Sequence, residues 1–168
     1  MPTTFRQRCV FSVLMAFAMV YGMELYNQAL LAGGLSTRLF VAPFADILPL
    51  MAAVIALEAL VGGRVAHRLT FRLLDATKVP PLIVTVFMGA FTCWTMCPLM
   101  SLVATVAFKQ PPAGEFVAVW VQTVATNFPM AICWQLFAAG PAVRAVARML
   151  YRLPVLAGGE DGPRRARP

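Results

Sequence analysis

The sequence predicts an all-α integral membrane protein with four transmembrane helices, built as two tandem two-helix repeats in parallel orientation. Three observations predict it: composition, run length and the placement of the bases. Of 168 residues, 60% are hydrophobic and 12% charged, with a mean hydropathy of +0.76. Soluble domains lie near ~45–50% apolar and ~25% charged. Apolar runs at 10–31, 45–62, 82–108 and 116–137 approach or exceed the ~20 residues that cross a bilayer core of ~30 Å. The net charge of +7 comes from bases at the ends of these runs, which is a membrane pattern and not a nucleic-acid one.

The first run follows Arg6 and Arg8 and stays clean until Glu24, Asn27 and Gln28. Gly33-Gly34 ends it, and residues 35–44 form a short connection with one base, Arg38. Pro43 suits the first turn of the next helix, where a missing N–H costs nothing. The second run has Asp46 near its mouth and Glu58 inside; Arg64, Arg68 and Arg72 follow with His67 beside them. Their i, i+4, i+8 spacing puts the three arginines on one helical face. Such a face anchors to anionic headgroups, at ~1 kcal/mol per base near the surface.

Pro80-Pro81 closes the central connection, and the third run is long enough to require tilt or protrusion. Pro98 within it frees the carbonyl of Trp94. After a turn at 109–114, the fourth run carries Gln122, Thr123, Thr126, Asn127 and Gln135, with Pro129 interrupting its hydrogen-bond ladder. It passes Gly140-Pro141 into a second basic stripe, Arg144, Arg148 and Arg152. Residues 154–168, rich in Gly and Arg, read as an unstructured basic tail.

Twelve bases fall at the start, in the central connection and at the C-terminal end, against only Arg38 and Lys109 elsewhere. The positive-inside rule therefore places both termini and the central connection in the cytoplasm of an inner membrane. The first run is too long for a cleavable signal and lacks a small-residue cleavage site. Cys9, Cys93, Cys97 and Cys133 lie in or beside apolar runs and read as small apolar fillers, not a disulfide framework.

The halves 6–78 and 79–153 repeat. Residues 13–16 read like 86–89, Tyr21 is in step with Trp94, and Glu58 with Gly63 reads like Gln135 with Gly140. Two spans per half give both repeats one orientation, with a symmetry axis along the membrane normal.

Glu24 and Glu58 are the proton and substrate candidates. A carboxylate within hydrocarbon normally faces a bundle interior or a water-filled cavity. Desolvation penalises its charged form, which suits it to exchange a proton for a cation. Helical rise puts Glu24 ~21 Å from the start of its run and Glu58 ~9 Å from Arg64, which suits successive stations. The other reading has Glu58 paired with a nearby arginine and Glu24 among headgroups. Asn27, Gln28, Gln122, Thr126, Asn127 and Gln135 either line a polar pathway or hydrogen-bond helix to helix. Pro98 and Pro129 are candidate hinges.

Cys93, Met96, Cys97 and Met100 form an i, i+3, i+4, i+7 stripe of soft ligands suited to Cu(I), or else simple packing. With one histidine, no phosphate loop and no zinc spacing, no catalytic set assembles, and neither an enzyme nor a cofactor is expected.

The chain resembles a bacterial membrane family catalogued as domain of unknown function 2798. The resemblance rests on Asn127-Phe128-Pro129-Met130-Ala131, Gln135, Gly140-Pro141 and Val143-Arg144. The first half resembles a more divergent copy, through Tyr26-Asn27, Glu58 and Gly63. The family implies a two-helix unit, used singly or in tandem, with no activity to carry over. In architecture alone, the plan is similar to proteobacterial antimicrobial compound efflux transporters.

The function expected is proton-coupled export of small cationic or amphipathic compounds. The alternatives are a non-transporting accessory or scaffold role, and soft-metal handling. A four-helix unit is expected to enclose little volume, so the path is expected between subunits of a homo-oligomer. Ala52, Ala56, Ala59 and Gly63 offer one close-approach face for such an assembly.

Overall fold

In lipid, every backbone N–H and C=O must find its partner within the spanning segment, so apolar runs of this length become helices. The computed structural model describes residues 5–75 and 79–151, and over them the chain forms four long helices and no strand. Lys78, Arg152 and the tail at 154–168 lie outside the described residues.

The helices are α1 (Phe5–Leu31), α2 (Ile47–Leu73), α3 (Pro81–Lys109) and α4 (Phe116–Leu150), of 27, 27, 29 and 35 residues. At 1.5 Å per residue the shortest is ~40 Å long, enough to cross a bilayer core. Between 11% and 17% of each helix's most apolar window is buried within the chain. Leu48 is 76% exposed and Phe137 80%. Exposing such side chains to water costs ~25 cal/mol per Å², so lipid is their solvent. The chain is a multi-pass membrane protein.

Local chemistry sets the helix ends. Gly33 takes φ +72° and the Gly34 N–H donates to the Ala29 carbonyl at 2.9 Å, a glycine turn that stops α1. Two 3-10 turns, Thr37–Phe40 and Ala42–Ala45, lead to α2. Pro43 is buried in the second of these, so the helix proper starts at Ile47, later than Pro43 suggested. Pro81 opens α3 at its first position. At the other end Gln110 turns left-handed, with φ 40° and its N–H on the Thr105 carbonyl at 2.9 Å.

The helices form a ring in which each packs on its chain neighbours and α4 returns to α1. Val20, Ile47 and Leu50 centre the α1–α2 contact, with Met100 of α3 against them. The Tyr21 hydroxyl donates to the Phe40 carbonyl at 3.1 Å and pins the connection over α1. The Trp120 indole N–H donates to the Pro98 carbonyl at 3.0 Å across α3 and α4. Between α4 and α1, the Trp134 indole donates to the Ala18 carbonyl at 2.9 Å, and its ring fills the space left by Gly22. The Tyr151 hydroxyl donates to the Gln7 carbonyl at 2.8 Å, which puts residues 7 and 151 at the same end of the bundle.

α2 and α4 run on to Leu73 and Leu150 and do not stop near 62 and 137. They continue through π-helical turns at Glu58–Gly62 and Trp134–Ala139; a third, Thr105–Lys109, finishes α3. In each continued helix one N–H reaches back five residues, Gly63 to Glu58 and Gly140 to Gln135. The wider turn crowds the fifth residue against that carbonyl. A Cβ on Gly63 would lie 3.0 Å from the Glu58 oxygen, and one on Gly140 only 2.6 Å from the Gln135 oxygen. Glycine is what these two places accept. Pro98 and Pro129 sit inside continuous helix, where each removes one i→i−4 bond from the ladder.

Candidate functional site: a cavity between the four helices

The cavity-lining rows of α2 and α4 pass through the π turns. In α2 the inward row is Leu50, Val54, Glu58, His67 and Phe71; in α4 it is Asn127, Ala131, Gln135, Arg144 and Arg148. Each row advances by four residues, except for one step of five through Gly63 or Gly140. The i→i+5 bond stacks the glycine over the residue five before it, much as i→i+4 bonds stack neighbours elsewhere. A row of regular step four stays inside as well: Gln135, Ala139, Val143 and Ala147 are buried, as are Gly62, Ala66 and Thr70.

These rows and the inner faces of α1 and α3 enclose a cavity of about 840 Å³. That is within the ~300–1,000 Å³ of small-molecule sites. It reaches from Ala104 and Phe108 at one end of the bundle to Arg148 and Tyr151 at the other. A single chain therefore lines substantial volume of its own, more than the little volume expected of a four-helix unit. The reason is small side chains on the inner faces, among them Ala16, Gly89, Cys93 and Ala131.

Glu24 and Glu58 both line this cavity, on α1 and α2 respectively, and both are half-buried. Neither forms an ion pair among the described residues, so Glu58 is not paired with Arg64. Glu24 accepts a hydrogen bond from the Gln28 side-chain amide at 2.9 Å.

Of the polar pathway candidates, Asn27, Asn127 and Gln135 line the cavity. The Oε1 of Gln135 is buried without a hydrogen-bond partner. Gln28 is engaged by Glu24. Gln122 and Thr126 are exposed, and the Thr126 hydroxyl donates to the Gln122 carbonyl at 2.8 Å. They sit one position before the Thr123–Asn127–Ala131 row, about 100° around the helix, and so face outward. Thr123 is instead buried, and its hydroxyl accepts from the Lys109 ammonium at 2.7 Å.

Cys93, Met96, Cys97 and Met100 all face the cavity, whereas Cys133 is exposed on α4. The Cys93 thiol donates to the Ala131 carbonyl at 3.3 Å. Among the described residues no three His, Cys, Asp or Glu side chains converge on a metal position.

The two basic stripes differ. Arg64, Arg68 and Arg72 are exposed on the outside of α2. Arg144 is half-buried and folds back along its helix, with Nη2 3.2 Å from where a Gly140 Cβ would stand. Helical side chains lean toward the N-terminus, and here that lean points the guanidinium into the bundle. No periodicity in the sequence separates Arg144 from Arg64, because the stripes share one spacing.

Residues 77–151 match the family model described as Domain of unknown function (DUF2798). This half of the chain is a DUF2798 domain. Within it lie α3, α4, the π turn before Gly140, and the inward row from Asn127 to Arg148. No curated protein matches the chain, and no solved structure matches it.

The same inward pattern occupies the half outside the DUF2798 match. Every cavity-lining position of α1 and α2 has a lining counterpart 77 residues later, Glu58 with Gln135 and His67 with Arg144 among them. At this spacing buried Ala16 and Val20 correspond to buried Cys93 and Cys97. Pairing 13–16 with 86–89 is one helical turn away from that register.

Proposed function

We propose that the protein is a small inner-membrane transporter that exports amphipathic cations in exchange for protons. The observation that carries this reading is that Glu24 and Glu58, on different helices, line one cavity that runs between the two ends of the bundle. The carboxyl releases its proton to water on the cytoplasmic side as the cation binds, the carboxylate holds the cation by charge, and a proton taken up from the outer side releases the cation there. Apolar walls of Met, Val and Phe accept the substrate's hydrocarbon part, while Asn27, Asn127 and Gln135 offer neutral polar contacts. The protein acts as a carrier and not as a catalyst.

The same reading takes the halves as a parallel tandem duplication, with both termini cytoplasmic. It also takes the protein as a homo-oligomer, supported by Ala52, Ala56 and Ala59, which are exposed along one face of α2.

The test is reconstitution into proteoliposomes with an internal pH dye. Amphipathic cations are expected to drive proton movement with the native chain, and Glu24→Gln and Glu58→Gln to abolish it while the fold is retained. Proton movement that survives both substitutions rejects the reading. Silence with every cation tried, together with co-purification of a larger complex, replaces it with an accessory role.

A further inference from the structure

The end of the cavity nearest the chain termini has a chemistry of its own. Arg144, Arg148, His67 and Tyr151 line it, while Glu24 lies further along α1 and Glu58 nine residues before His67 on α2. Glu24 is ~26 Å of helix beyond Gln7, the residue that Tyr151 meets. Arg144 is the unusual member. A membrane arginine ordinarily extends its long stem toward water and headgroups. This one folds back over Gly140 into the bundle, half-buried and with no ion pair among the described residues. An unpaired guanidinium in such a place calls for an anion.

Two further facts narrow the anion. His67, exposed on α2, lines the same end at the position matching Arg144 in the other half, so an imidazole and a guanidinium from different helices flank one mouth. Behind them the wall is apolar, with Phe11, Met15, Phe71, Val84 and Met88. A free inorganic anion would use the first feature and waste the second. An anion carrying a hydrocarbon tail uses both.

We propose that this mouth binds the phosphate of an anionic phospholipid on the Arg144 guanidinium, with its acyl chain lying along the Met15–Met88 wall. The guanidinium fork matches a phosphate with two parallel N–H donors, which an ammonium cannot do. Arg148 adds charge at the rim, and His67 adds a ring nitrogen able to hydrogen-bond the phosphate. Arg64, Arg68 and Arg72, exposed on the outer face of α2, meet only the general attraction of a negative surface. The proposal uses neither carboxylate, although its acyl chain takes the Met15–Met88 wall of the same cavity that the export reading gives to substrate.

The experiment is thermal unfolding of the delipidated full chain in detergent, with phosphatidylglycerol, phosphatidylcholine or inorganic phosphate added. Phosphatidylglycerol is expected to raise the melting temperature well above phosphatidylcholine, and inorganic phosphate to add little. Arg144→Gln should remove most of that difference, while Arg64→Gln keeps it. Equal shifts from the two lipids, or equal losses from the two substitutions, overturn the proposal. A rise with inorganic phosphate equal to that with phosphatidylglycerol assigns the site to a free anion and overturns the lipid. Should Arg144→Gln fail to fold, the native chain decides through an anionic lipid with a photoreactive acyl tail. Cross-links on Met15 or Met88 support the site, and cross-links confined to the outward faces reject it.

Discussion

The Gly140 α-carbon lies directly beneath the Gln135 carbonyl, so close that a methyl group there would stand 2.6 Å from the oxygen. That single closeness ties the π turn, the inward placement of Gln135 and the folded-back Arg144 together. Gly140→Ala must displace the Gln135 carbonyl and crowds the arginine as well, and overpacking of this kind costs ~1–3 kcal/mol. Gly63→Ala, at 3.0 Å from the Glu58 oxygen, should cost less, and Gly114→Ala, which meets nothing within 4 Å, about nothing. Melting temperatures of the three variants in detergent are expected in that order. Equal values would mean that the π turns yield without cost.

Trp134 joins α4 to α1 by one hydrogen bond and one filled notch. Trp134→Phe keeps most of the packing but loses the indole bond to Ala18, a loss of ~1 kcal/mol. Gly22→Ala puts a methyl into the indole ring itself and is expected to destabilise more. Denaturant midpoints compare the two directly. A Trp134→Phe loss larger than that of Gly22→Ala would show the bond to matter more than the fit.

The polar pathway divides by helix face. Asn127 is buried and faces the cavity, while Gln122 is exposed on the outside of α4. Asn127→Ala should therefore weaken cation-driven proton movement in proteoliposomes, and Gln122→Ala should leave it unchanged. The opposite result would move the path to the outer face and into a subunit interface.

Cysteine accessibility reports the orientation. Cys9 is exposed near the start of α1, Cys93 and Cys97 are buried on α3, and Cys133 is exposed on α4. A membrane-impermeant maleimide is expected to label Cys9 in inverted inner-membrane vesicles and not in right-side-out ones. Cys133 lies mid-helix against lipid and should stay unlabelled in both. Labelling of Cys9 only in right-side-out vesicles would reverse the topology.

Much of this architecture was legible in the residues. Run lengths near twenty foretold four spanning helices, because lipid leaves a backbone no partner but itself. Gly33-Gly34 and Pro81 marked helix ends by local geometry alone. The Glu58–Gly63 and Gln135–Gly140 likeness was visible as well, although its cause was not: each glycine makes room for a carbonyl five residues back.

The inward set was only half legible. A search by helical period places Gln122, Thr126 and Asn127 together as polar, and cannot say which face turns inward when both lipid and core are apolar. It also treats Arg144 like Arg64.

By itself, then, the sequence determined the solvent of this protein, the number of its helices and the places where they stop. Those follow from composition and from local backbone chemistry. The tertiary structure decided that two carboxylates share one cavity within a single chain, and that one arginine leans into it while others face out. The physical reason is that lipid and core are both apolar, so the helical period alone does not say which face turns inward, and the packing of neighbouring helices does.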